Sequence, residues 1–141
     1  MANLDDVLTA VCRLPRDFKG SRSSAHDLIA KSGYLALRRE ITVEHLYDRL
    51  TLDQQLVDAW QLWSDDNRGW PAWYIESVGP GNGKFEVGYY DNGKTSQRLF
   101  DDRNRACAEY AHHTLEQLAD QAATVPFFLS AIRGLLRSGR R

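Results

Sequence analysis

The chain has 141 residues, enough for one compact domain with its own core. Apolar residues make up 43% and charged residues 26%, an ordinary balance for a soluble globular protein. The net charge is −1, which excludes a bulk electrostatic attraction to nucleic acid or to an anionic membrane surface.

In chain order, the amino terminus "MANLDDVLTAVCRL" places Asp5 and Asp6 where a secretory signal would be basic. No stretch reaches the ~18 apolar residues of a membrane span, so the expected compartment is the cytoplasm. Leu4, Val7, Leu8, Val11 and Leu14 recur at helical spacing behind Asn3, a good N-cap, and Pro15 is expected to stop that helix. "PRDFKGSRSS" then reads as a polar connector. Ser24 and Gly33 bracket a short helix, "AHDLIAKS". Thr42 caps the next, with Val43, Leu46, Tyr47 and Leu50 as its apolar stripe. Thr51 and Gln54 match a capping box, which predicts a helix opening at Thr51 and ending near Asp66–Gly69. Its stripe is Leu52, Leu56, Trp60 and Trp63, and Trp60 is expected to pack under Trp73, Phe85 or Val87.

After Pro71 the period changes from helical to alternating. A three-stranded antiparallel meander is predicted over 72–100, with turns at 79–83 and 91–94, the second marked by Asn92-Gly93. Trp73, Ile75, Phe85, Val87 and Tyr89 fall on one face. Tyr74, Glu76, Tyr90 and Asp91 fall on the opposite face or its rim, unless the last helix covers Tyr74 and Tyr90. Asp101 or Asp102 caps a helix with Ala106, Cys107, Tyr110, Ala111, Thr114 and Leu118 on one side. Thr124 and Pro126 open a final apolar helix, and the basic end, about 137–141, is expected to fray. Helices, a meander and helices again make one α+β domain over 1–141.

None of the chemistry-bearing residues forms a signature. His112 and His113 are adjacent on a helix and point about 100° apart, so they cannot share a metal. His26 and His45 stand alone. Cys12 and Cys107 are far apart, with no metal spacing, and Cys107 lies on an apolar stripe, so reduced and buried thiols are expected. Ser64 beside Asp65 lacks an elbow motif and an assigned histidine. "GPGNGK" joins two antiparallel strands and is not a phosphate loop. No cofactor, metal or catalytic set is therefore expected.

Charge and aromatics are more informative. Between Glu40 and Asp66 seven acids face one base, Arg49. That block is either a pair of solvated helix faces or a patch that attracts a basic partner. Next comes "WSDDNRGWPAWYIES", rich in Trp and Tyr beside acids, the composition that protein-binding surfaces favour. The candidate contact residues are Asp65, Asp66, Asn67, Arg68 and Trp70, assigned to the loop between helix and sheet, with Tyr74, Glu76, Tyr90 and Asp91.

The run from "LVDAWQLWSDDNRG" through "WPAWYIES", a glycine-rich turn and "KFEVGYYDNGK" to "FDDRNRACAEYA" resembles the immunity proteins of bacterial polymorphic toxin and contact-dependent growth inhibition systems. The resemblance covers roughly residues 27–120 and rests on element order and aromatics. It implies a cytoplasmic protein, not an enzyme, that binds a cognate toxin domain and blocks it. Such toxins are often nucleases, whose basic clefts an acidic patch can occupy. Two other classes remain open. One is a small enzyme with a site assembled from His112, Glu109 and Tyr110; the other is a DNA-binding module built on the helices at 24–33 and 42–50, whose second helix carries little base.

Overall fold

The computed structural model describes residues 3–66, 71–79 and 83–139, with side chains described up to residue 122. Local signals explain the first elements. In α1 (Leu4–Cys12) the Asn3 carboxamide accepts from the Asp6 amide at 2.8 Å. The connector expected after it is instead a second helix, α2 (Leu14–Lys19). Pro15 lies in its first turn, where a missing amide and a fixed φ fit helix initiation, so this proline starts a helix and does not stop one. Ser24 caps α3 (Ala25–Ser32), which ends on Gly33 at φ 88°. A single turn, α4 (Tyr34–Leu37), follows.

Thr42 and His45 form a reciprocal capping box on α5 (Val43–Thr51). Thr51 thus closes α5 and does not open the next helix. The start of α6 (Gln54–Asp66) is held by the Asp53 carboxylate, which accepts from the Gln55 amide at 3.1 Å.

The meander is as expected: β1 (Ala72–Val78), β2 (Lys84–Tyr90) and β3 (Lys94–Phe100) pair antiparallel in the order β1-β2-β3. Ile75 faces Val87 and Trp73 faces Tyr89, so the alternation maps onto the faces that the sequence suggests. The hairpin between β2 and β3 turns on Asn92 (φ 56°) and Gly93 (φ 141°), backbone states that Asn and Gly adopt most readily. The other turn is described only at its ends, Gly79 and Gly83; residues 80–82 lie outside the described residues.

Asp102 caps α7 (Arg103–Gly139), its carboxylate accepting from the Asn104 amide at 2.9 Å. The separate last helix expected at Thr124 is absent: α7 runs on through Thr124 and Pro126. The apolar side chains of that stretch and the basic end at 137–141 lie outside the described side chains. Over its first part α7 is the spine of the fold, touching α3, α5, α6 and all three strands. Ala106, Cys107, Ala108, Tyr110, Ala111, Leu115 and Ala119 are buried, so the helix is enclosed beyond a single stripe.

Trp60 is fully buried, and its ring neighbours are Trp63 and Tyr110, at 6.2 and 5.9 Å between centroids. Its indole N–H donates to the Cys12 carbonyl at 2.9 Å, locking α6 onto the end of α1. Ser64, one turn further on, accepts from the Ile75 amide at 2.9 Å and donates to the Ile75 carbonyl at 3.1 Å. These two hydrogen bonds with one hydroxyl satisfy both backbone groups of a buried strand residue and fix the end of α6 against β1.

Candidate functional site

Asp65 and Asp66 are exposed, but they form the last turn of α6, not the loop that the sequence assigned. Two carboxylates there face the negative end of the helix dipole, which disfavours them. Asn67, Arg68 and Trp70 lie outside the described residues.

Asp66 opens onto a cleft of about 700 Å³ between α2 and α6. Pro15, Phe18, Ala59, Leu62 and Trp63 make its apolar lining. Arg16 and Lys19 come from the α2 side, and Gln55, Asp58 and Asp66 from the α6 side. Phe18 and Leu62 are 41% and 51% exposed, large apolar groups left in contact with water. Phe18 packs edge-on against Trp63 with centroids 5.0 Å apart. That pair also borders a second cavity of about 400 Å³, reached by His26, Trp73 and Gln117. There the His26 Nε2 and the Gln121 carboxamide oxygen are 2.7 Å apart, and Gln117 donates to the Pro71 carbonyl at 3.1 Å. Phe18 is the residue that sequence reasoning missed. Leu14, Pro15 and Phe18 at i, i+1 and i+4 were the available sign of a short amphipathic helix.

The sheet residues behave differently. Tyr74 is only 6% exposed, which corrects its assignment to a contact surface. Its ring lies over Gly88, where a Cβ would come within 2.6 Å of the tyrosine oxygen. Its hydroxyl donates to Glu86 at 2.8 Å, and the Lys94 ammonium sits 5.3 Å from its ring centroid. Burial and the Glu86 carboxylate raise the Tyr74 pKa above the usual phenol value. Burial opposes ionisation of Glu86, but hydrogen bonds from Tyr74 and Gln97 with the nearby Lys94 outweigh it and hold its carboxyl below the usual range. Glu76 is ion-paired with Lys94 and is half-buried, so it too belongs to this closed network. Tyr90, at 41% exposure, and Asp91 remain open to solvent beside the β2–β3 turn.

The acidic block is partly answered from within the fold. Arg103 pairs with Asp58 and Arg105 with Glu44, both arginines reaching from the first turn of α7. Arg49, the one base of the block, pairs with Asp5.

Two of the residues named for an enzyme site are engaged within the fold. Tyr110 is enclosed against Trp60, while Glu109 faces Arg98 at 3.6 Å and His113 at 3.9 Å. Burial pushes the Cys12 thiol up to about 12 and raises Cys107 further, the reverse of what a nucleophilic thiolate needs. Among the described residues there is no group of three or more His, Cys, Asp or Glu that could hold a metal ion. Among them, too, no helix is long and apolar enough to cross a membrane. Comparison with protein-family models, with curated proteins and with solved structures finds no significant match.

Proposed function

We propose that this chain is an immunity protein: a cytoplasmic, non-enzymatic binder that neutralises a cognate bacterial toxin domain through an acidic and aromatic surface. A nuclease is the target class that suits its acids, because a nuclease must present a basic cleft to phosphates. The observation that carries this reading is the junction at the end of α6. There Asp66 lines a cleft together with the exposed Phe18 and Leu62 and the half-buried Trp63. Exposed aromatic and aliphatic anchors beside charge are what a protein-binding centre and its rim require. The order of elements and the aromatic run that resemble immunity proteins add to this. Of the residues nominated from sequence, the reading keeps Asp65, Asp66, Tyr90 and Asp91 and gives up Tyr74 and Glu76, whose polar groups are already partnered.

The test is a titration against the purified carboxy-terminal domain of the toxin encoded by the neighbouring gene, at low and high salt. Wild type should bind. The double variant Asp65→Asn with Asp66→Asn, which removes charge and nearly keeps shape, should bind more weakly, and the gap should narrow as salt rises. Failure of the wild-type chain to bind that domain sinks the immunity reading. Equal affinities for the two proteins at both salts would take this pair of acids out of the interface.

A further inference from the structure

We infer that the cleft between α2 and α6 seats an amphipathic helix of the bound toxin domain, with aliphatic side chains inward, bases along the edge facing α6 and acids along the edge facing α2. This rests on the toxin-binding reading above and specifies what the partner must bring.

The shape comes first. Gln55, Ala59, Leu62 and Asp66 all line the cleft, and their spacing of four, three and four puts them on one face of α6. Eleven residues at 1.5 Å each make that face about 16 Å long, roughly three helical turns. About 700 Å³ of concave space above it holds several aliphatic side chains.

The backbone decides between a helix and an extended segment. Half of the residues lining the cleft, Pro15, Phe18, Ala59, Leu62 and Trp63, offer carbon surface and few hydrogen-bonding groups. An extended segment pressed onto that surface would carry unpaired N–H and C=O groups, each costly to strip of water. A helix satisfies those groups internally and can present only its side chains.

Charge then sets the flanks. Arg16 and Lys19 stand on the α2 side and Asp66 on the α6 side, and among the described residues none of the three makes an ion pair. Asp58, also on the α6 side, is already held by Arg103. Opposite signs on the two sides therefore call for an occupant whose own flanks carry the complementary signs, which also fixes its direction in the cleft.

The experiment installs a photoreactive side chain in turn at Gln55, Leu62 and Asp66 of the full chain and irradiates each protein in complex with the toxin domain. The captured toxin residues should lie on one segment and advance by three, four or seven positions as the probe moves along α6. A parallel variant, Leu62→Glu, should lower affinity at least tenfold with an unchanged melting temperature, since Leu62 is half-exposed. Capture at steps of two, capture scattered over several loops, or a bound complex with no capture overturns the helix seat and leaves toxin binding standing. So does full affinity in Leu62→Glu. If the wild-type chain forms no complex, both the seat and the reading beneath it fall.

Discussion

The end of α6 and the outer face of the sheet have the same composition, aromatic residues among acids, and opposite physical states. On the sheet, Tyr74, Glu76, Glu86, Lys94 and Gln97 bond to one another and leave Tyr74 almost fully covered. At α6, Phe18 and Leu62 stay wet around an open cleft. Polar groups partnered within the fold have little to gain from a second protein, whereas exposed apolar surface in a concave site does. Composition nominates a surface; satisfaction of its polar groups decides whether it is available.

The largest expected effect tests what holds α6 in place beneath the cleft. Trp60→Ala removes a fully buried ring and its bond to the Cys12 carbonyl, and should cost about 3–5 kcal/mol. Chemical denaturation measures it, and a loss under about 1 kcal/mol would mean that α6 is anchored elsewhere. Next, Ser64→Ala leaves both backbone groups of Ile75 unpaired in a buried position and should cost about 1–3 kcal/mol. The same denaturation experiment, alongside hydrogen exchange at Ile75, reads it out.

On the sheet, Gly88→Ala drives a methyl group into the Tyr74 ring and should cost about 1–3 kcal/mol by overpacking. An unchanged melting temperature there would show that Tyr74 swings freely, and the contrast between the two surfaces would fail. By comparison, Asp65→Asn with Asp66→Asn should change stability by less than about 0.5 kcal/mol, as exposed surface substitutions do.

The smallest effect is a pH dependence. His113 stacks on Trp73 with ring centroids 3.8 Å apart, and burial lowers its pKa below the usual imidazole value. Arg98 and His112 push the same way, while Glu109 opposes them. The unfolded chain therefore takes up this proton at a higher pH than the folded one. The contribution of the neutral ring is present above the ordinary imidazole pKa and is lost as pH falls below it through the folded value. His113→Phe keeps a ring on Trp73 and should flatten that part of the stability–pH curve; an identical slope in both proteins would assign the acid sensitivity to other groups.

Where the sequence was legible, the signal was local. Asn3, Ser24 and Thr42 each supply a cap within their own first turn, and Asn92-Gly93 supplies its own turn. Where it misled, two local signals competed. Thr51 with Gln54 imitates a capping box, yet the Asp53 carboxylate caps α6 and leaves Thr51 to finish α5. Pro15 can follow one helix or begin another, and choosing the first reading hid Phe18 in a supposed connector. Strand alternation gave the correct parity for Tyr74 but not its coverage. Gly88, Glu86 and Lys94 reach it across strand pairings that only the register specifies.

By itself the sequence determined the α+β class, the meander with its faces, and the burial of Trp60, because helical and strand periods mark which side chains must leave water. Tertiary structure decided what the polar residues do. Arg103 and Arg105 meet Asp58 and Glu44 across 45 and 61 positions of sequence, and Ser64 meets Ile75 where a helix end crosses a strand. Such pairings depend on distances in space that no local pattern encodes. The cleft between α2 and α6 likewise exists only once two helices lie side by side with Leu62 and Phe18 between them.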